Sequence, residues 1–380
     1  MFCTPYLCLV AALGLLAFLY SNTTKVDYKN AFVVGGTCLF LFFFGFRGYI
    51  MSDWIIYYDL FYETTIYDLD THNLFSFNSI EPGFSLLIIF CKSLFRDFHF
   101  FVFVSTLINT ILLLRFLYKY TDNILLGLML FIIFEGLTIM VNLMRNSIAI
   151  LLFLNAIEYL TSRKPIKYFS LCILATSFHF SALIYFPLYF FFHLRMPRWA
   201  FIIIIIAFNI IYLGHVPIVS KLLILTGLDA DKTDKIVAYT QKLVTTSKLS
   251  IGYLERLFTS ILVICYYDRL YEIRKECSVF INGFIMYIAF LFVFSDFPIV
   301  AHRMGNLFAY SYWILWADLI KCFVIENNRR LFASFVYLYC LFRIIGSTQL
   351  PDFEYDNVLF GAKSYEERLY IHNKTFEETF

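Results

Sequence analysis

Residues 123–160 read NILLGLMLFIIFEGLTIMVNLMRNSIAILLFLNAIEYL, an apolar run from Ile124 to Leu160 interrupted near its middle by Arg145 with Asn142, Asn146 and Ser147. A helix that crosses a bilayer needs about 20 mostly apolar residues. The run therefore divides into two crossings, 123–141 and 146–161, with the polar residues at the junction. Glu135 lies inside the first crossing, where a carboxylate must find a partner or take up a proton.

The rest of the chain has the same character. Of 380 residues, 61% are hydrophobic, 21% aromatic and only 15% charged, at a mean hydropathy of +0.73. A soluble domain carries about 25% charged residues, and one soluble core of this size has no room for 47 Phe. The composition predicts an all-α, polytopic integral membrane protein. Long continuous apolar runs exclude the alternating ten-residue segments of a β-barrel. A net charge of +2 gives no sign of a nucleic-acid partner. The nine Cys form no CxxC pair and no Cys/His cluster, so the sequence offers neither a metal site nor a redox pair. Cys91, Cys172, Cys265 and Cys340 read as small core residues. The stretch 1–20 resembles a signal peptide without a basic start or a clear cleavage site, and reads as the first span.

Further apolar runs fall at 5–20, 31–46, 83–95, 98–118, 168–179, 180–194, 199–214, 251–267, 278–294, 304–320 and 331–347. The run 83–95, after Glu81-Pro82-Gly83, is too short to cross and reads as a re-entrant or interfacial helix. Basic residues mark cytoplasmic loops. The clusters are Lys25/Lys29, Arg115/Lys119, Arg163/Lys164/Lys167, Arg195/Arg198, Arg269/Arg274/Lys275 and Lys321/Arg329/Arg330. All fall on one side if 83–95 does not cross and 168–194 is a short hairpin turning near His179. That gives about twelve spans with both termini outside. The expected organisation is a single membrane domain, 1–380, with external loops 47–82 and 215–250 and an external acidic tail 348–380. The loop 215–250 reads as short helices over the external face, a lid. No internal repeat is evident, which argues against transporters built from inverted repeats.

This orientation puts Arg47, Asp53, Glu81, Arg145, His179 and Arg303 on the external side, at the edges of apolar segments. Ionisable groups in such places commonly mark a site. Asp53 and Tyr57 share a helix face by four-residue spacing. They suit a hydroxyl-rich ligand, although belt tyrosines at the interface account for Tyr57 and Tyr58 equally well. Glu81, before Pro82, reads either as a dipole-matching cap or as a base held at a cavity floor. Arg145 suits a pyrophosphate, which a guanidinium binds in a fork; the alternative is a snorkelling helix-end arginine. His179, between Phe178 and Phe180, reads as a structural residue or as a proton-transfer or phosphate-contacting group. Arg303 is expected to open the helix 304–320, with Asn306 and Tyr310 facing one cavity. Glu255 and Arg256 diverge by about 100° on a helix, so they serve different ends.

The order Arg47…Asp53-x-x-x-Tyr57, Glu81-Pro82-Gly83-Phe84, Arg145-Asn146-x-x-Ala149, Phe178-His179-x-Ser181-Ala182 and Arg303 resembles the EpsG family over about residues 40–310. These are Wzy-like polymerases of O-antigens, capsules and exopolysaccharides. The chain departs from the family's pattern at Asn146, where Gln is frequent, and at Ser52 before Asp53. The resemblance implies a GT-C-like glycosyltransferase of the bacterial inner membrane that needs no cofactor, nucleotide sugar or obligatory metal. It implies transfer of an undecaprenyl-pyrophosphate-linked glycan onto an incoming lipid-linked repeat unit at the outer face, with membrane lipid and a chain-length regulator as partners. Arg145, Arg303, Arg47, Arg256, Asn146 and Tyr57 are then expected to bind pyrophosphate or glycan, and Glu81, His179 or Asp53 to serve as base. The competing readings are a lipid-linked oligosaccharide flippase and an O-antigen ligase.

Overall fold

A computed structural model describes residues 2–69, 80–225 and 249–379. Among these the secondary structure is helical, apart from an isolated antiparallel bridge between Arg47 and Asn357. Five described helices are long and apolar enough to cross a membrane. They are α1 (Thr4–Asn22), α2 (Val26–Gly45), α5 (Phe98–Tyr120), the run Ile124–Val141 and the helix Glu326–Ser347. The protein is membrane-embedded on this ground. Shorter apolar helices include α4 (Pro82–Leu94), α9 (Pro165–Phe178), Arg198–Leu213 and Cys277–Val293.

The chain falls into two compact units, one of residues 1–189 with 331–380 and one of residues 190–330. In the first, α1 packs on α2 and on α6 (Ile124–Phe131), α2 on α5, and α5 on α8 (Met144–Thr161). Buried amides join these helices. Asn109 Nδ2 donates to Ser147 Oγ at 2.8 Å and Asn155 Nδ2 to Leu112 O at 3.0 Å, as polar side chains do between apolar helices in lipid. Asn123 caps α6 by accepting from Leu126 N at 3.1 Å and donates to Ala17 O at 2.8 Å.

The run Ile124–Val141 is not one straight helix. A π-helical turn, Ile132–Gly136, separates α6 from α7 (Leu137–Val141), and Glu135 sits at φ 68°. Gly136 permits this, because a Cβ there would come 2.1 Å from Phe131 O. Glu81 stands at the N-cap of α4 and makes no side-chain capping bond there.

At 13 residues α4 spans about 20 Å along its axis, short of a crossing. The turn at His179 reverses the chain as expected. Tyr168 donates to Tyr185 O at 2.5 Å, and the Tyr168 and Tyr189 rings lie 5.2 Å apart. His179 itself is extended, at φ −160° and ψ 129°, and ends α9 before a short 3-10 helix, Phe180–Tyr185.

The loop 47–82 contains α3 (Trp54–Glu63), embedded in an aromatic core of Tyr49, Trp54, Tyr57, Phe61, Phe84 and Phe101 with Met144. Lys92 of α4 closes the C-terminal end of α3 by donating to Tyr62 O and Thr64 O at 3.0 and 2.8 Å. The tail laces onto the same loop. Met51 N donates to Asp352 O, Gly48 N to Asp356 O and Val358 N to Phe46 O, and Tyr365 stacks on Tyr58 at 4.2 Å.

In the second unit the expected helix 304–320 is two helices, Pro298–Asn306 and Tyr310–Cys322. Between them Phe308 N bonds back three residues to Gly305 O and Ser311 N to Phe308 O. That tightening turns the chain and ends the first helix. Arg303 therefore lies in the last turn of the shorter helix rather than opening the longer one, and Asn306 and Tyr310 fall on different helices. The unit is pinned by a forked ion pair from Arg274 to Asp318, at 2.7 and 2.8 Å. Cys265 is exposed, unlike the buried Cys91, Cys172 and Cys340, so it is not a core residue. The expected lid falls largely on residues 226–248, and part of the expected loop 47–82 on residues 70–79; both lie outside the described residues.

Candidate active site

Three segments far apart in sequence meet around Arg145 in the first unit. Arg145 stands in the first turn of α8, where the chain leaves the apolar run. Its Nη1 donates to Glu81 Oε2 at 2.9 Å. The two side chains are not equivalent. Glu81 is 5% exposed and Arg145 29%, so the carboxylate is the buried floor of the pair and the guanidinium keeps an open face. Glu81 Oε1 accepts from Phe180 N at 3.2 Å, which binds the same carboxylate to the His179 turn. Gly83 lets α4 approach that turn, since a Cβ there would lie 2.5 Å from Ser177 Oγ and 2.8 Å from Ser177 O.

His179 Nδ1 accepts from Ser181 N at 3.1 Å. An acceptor nitrogen carries no hydrogen, so in the neutral ring the proton sits on Nε2. Ser181 Oγ donates to Asn146 Oδ1 at 3.0 Å, fastening the turn to the residue after Arg145. Asn146 is thus a tie between α8 and the turn, and it is buried.

α3 delivers the third segment. Tyr57 is buried against Phe84, with ring centroids 6.0 Å apart, and its hydroxyl interacts with Arg145. Burial pushes the phenol above its ordinary range, while the Arg145 charge opposes that shift. Tyr57 is therefore a neutral hydrogen-bonding group at physiological pH. Asp53, one turn earlier, is half-buried and accepts from Ser52 Oγ at 3.2 Å. Asn142 Oδ1 accepts from both Ser52 N and Asp53 N at 3.3 Å, so the polar junction before α8 also holds the start of α3.

Arg47 is placed differently. It is 3% exposed, and its guanidinium donates to Phe44 O, Thr106 Oγ1 and Met140 O. Those bonds tie α2, α5 and α7 together. Arg256 and Arg303 belong to the second unit. Arg256 is half-buried with its guanidinium over the Tyr287 ring at 5.7 Å, Glu255 beside it is buried, and Arg303 is exposed.

The roles of Asn142 and of the Phe180 amide were not legible beforehand. Asn142 carried a signal as a polar residue in an apolar run, but its target, 90 residues earlier, did not. The backbone amide carried none, because main-chain donors have no sequence signature.

A family model described as the EpsG family matches residues 31–358, most of the chain. No curated protein and no solved structure matches it.

Proposed function

The chain belongs to the EpsG family, a Wzy-like polysaccharide polymerase family, and on that premise we propose that it joins lipid-linked glycans at the outer face of a bacterial inner membrane. In this reading it crosses that membrane several times. The growing chain, carried on undecaprenyl pyrophosphate, is transferred onto the non-reducing end of an incoming lipid-linked repeat unit.

The observation that carries the reading is the Arg145–Glu81 pair. A partly exposed guanidinium is held from beneath by a buried carboxylate, within a ring of groups from three segments. As the acceptor hydroxyl attacks the anomeric carbon, the bond from that carbon to the phosphate oxygen breaks. The electron pair leaves with the lipid pyrophosphate. Charge that grows on a leaving group is best met by donors already in position. Arg145, oriented by Glu81, fills that role, and the Nε2 hydrogen of His179 and the Tyr57 hydroxyl add neutral donors.

The hydroxyl proton needs an acceptor. Both Glu81 oxygens are already engaged, one by Arg145 and the other by Phe180 N. Asp53 shares the Tyr57 environment with Arg145 and is the better candidate base. Arg47 then serves as a scaffold, and Arg303 and Arg256 as contacts for the glycan or lipid in the second unit.

The test uses purified protein in proteoliposomes with lipid-linked repeat units. The wild-type protein should give a ladder of products rising by one repeat. Arg145→Ala should slow it by about 10²–10³-fold and Asp53→Asn by about two orders of magnitude, with both variants folded. Normal laddering by Arg145→Ala refutes the clamp, and movement of substrate across the membrane without new bonds identifies a flippase.

A further inference from the structure

The stretch Met51–Asp53, which delivers the candidate base to the site, is held more firmly than the start of a helix requires. Met51 stands at φ 64°. A non-glycine residue keeps the left-handed conformation only where its surroundings enforce it, and such residues gather at functional sites. Here both ends of Met51 are tied. Its N donates to Asp352 O at 2.8 Å, and the same oxygen accepts from Arg368 Nη2 at 2.8 Å. Its own carbonyl accepts from Nε1 of the buried Trp54 at 3.0 Å. Asn142 Oδ1 then takes the next two amides, Ser52 N and Asp53 N.

The Asp53 carboxylate does not cap α3. An Asp at the N-cap ordinarily accepts from an amide of the first turn, yet Asp53 makes no such bond. Ser52 Oγ donates to Asp53 Oδ1 at 3.2 Å instead, and Asn142 Nδ2 donates to that hydroxyl at 3.4 Å. A donor on one oxygen restricts how the carboxylate turns about its side-chain bonds. Asn142 thus reaches Asp53 twice, through the main chain and through the Ser52 hydroxyl.

The origin of Asn142 matters as much as its bonds. It ends α7, three residues before Arg145 in the first turn of α8. One short junction therefore holds the main chain of the candidate base and also carries the candidate clamp. Three residues of chain span at most about 11 Å, so the junction fixes the two groups relative to each other.

We propose that Asn142 and Ser52 are positioning residues for the transfer: Asn142 holds the backbone of Asp53 and Ser52 its carboxylate, so that the base is aimed from the junction that bears Arg145. The proposal rests on the reading of Asp53 as the base. A tie that only supports α3 would show in stability and leave the turnover of folded protein unchanged. A positioning residue lowers turnover, and does so only while Asp53 is there to be aimed.

The experiment measures initial polymerisation rates of the full-length protein in proteoliposomes over a range of acceptor concentration, with unfolding temperatures taken on the same preparations. Asn142→Ala should lower kcat by about 10–100-fold, as a displaced group does, with little change in acceptor KM. On the Asp53→Asn background the same change should cost no more than about threefold further, because residues that act as a unit are not additive. Ser52→Ala should lower kcat by a smaller factor and also have little effect beside Asp53→Asn, while Ser52→Thr, which keeps the hydroxyl, should match the wild type. The Ser52 variants carry the test if Asn142→Ala does not fold. Wild-type turnover in Asn142→Ala and Ser52→Ala overturns the proposal and leaves Asp53 as the base. So do losses that multiply with that of Asp53→Asn. An Asp53→Asn variant as fast as the wild type removes the base and the positioning role together. A wild-type protein that makes no ladder removes both along with the polymerase reading.

Discussion

Replacing Arg145 with alanine leaves the Glu81 carboxylate, only 5% exposed, without its counter-charge. Breaking a buried pair from one side costs about 3–5 kcal/mol, because the remaining charge is poorly solvated. The reverse change is milder. In Glu81→Gln the side chain still accepts from Phe180 N, and Arg145, 29% exposed, can turn to water. Its cost should be about 1.5–3 kcal/mol, that of a hydrogen bond to a charged group. At roughly 2 °C per kcal/mol for a large chain, thermal unfolding in detergent should fall by about 6–10 °C for Arg145→Ala and by a few degrees for Glu81→Gln.

The double variant decides between a structural pair and a clamp. Arg145→Ala with Glu81→Gln removes both charges, so it should recover about 2 kcal/mol relative to Arg145→Ala alone, as coupled neighbours do. Activity should not recover. Loss of a preorganised donor costs about 10²–10³ in turnover, and the glutamine supplies no cation. Unfolding temperatures and product-ladder rates are measured on the same four preparations. Equal destabilisation by the two single changes refutes the buried-floor geometry. Recovery of activity along with stability refutes the clamp.

Two further outcomes follow from close packing near the site. Gly83→Ala drives a Cβ against Ser177, so it should destabilise by about 1–3 kcal/mol, as overpacking does; an unchanged unfolding temperature would contradict the contact. Arg368 is buried and donates to Glu354 Oε2, Pro351 O and Asp352 O. Glu354 keeps Lys363 as a partner, so Arg368→Gln should cost about 2–3 kcal/mol and open the tail to limited proteolysis, while a tail as resistant as the wild type's would argue against Arg368 holding it in place.

Elements with a strong local signal were legible. The ends of α1, α5 and Arg198–Leu213 fall within a few residues of their apolar runs, because hydropathy is set residue by residue. The short helix after Pro82 and the reversal at His179 followed from length and charge side. The breaks at Glu135 and at 307–309 did not, since each interrupts an apolar run with hardly a change in composition. Arg303 was misplaced for this reason. Arg47 illustrates a different limit: its position at a span end is the same whether it meets a ligand or three oxygens of neighbouring helices.

What the sequence determined by itself is the solvent and the order of its polar groups. Its apolar runs commit the chain to lipid, and Arg47, Asp53, Glu81, Arg145 and His179 follow one another at the edges of those runs, because residue type and order survive without geometry. What only the tertiary structure decided is which of these groups touch. Glu81 and Arg145 are 64 residues apart in the chain, and Glu81 and Phe180 are 99. Such pairings depend on how helices pack and where their breaks fall, and packing is a property of surfaces that no local stretch of sequence contains.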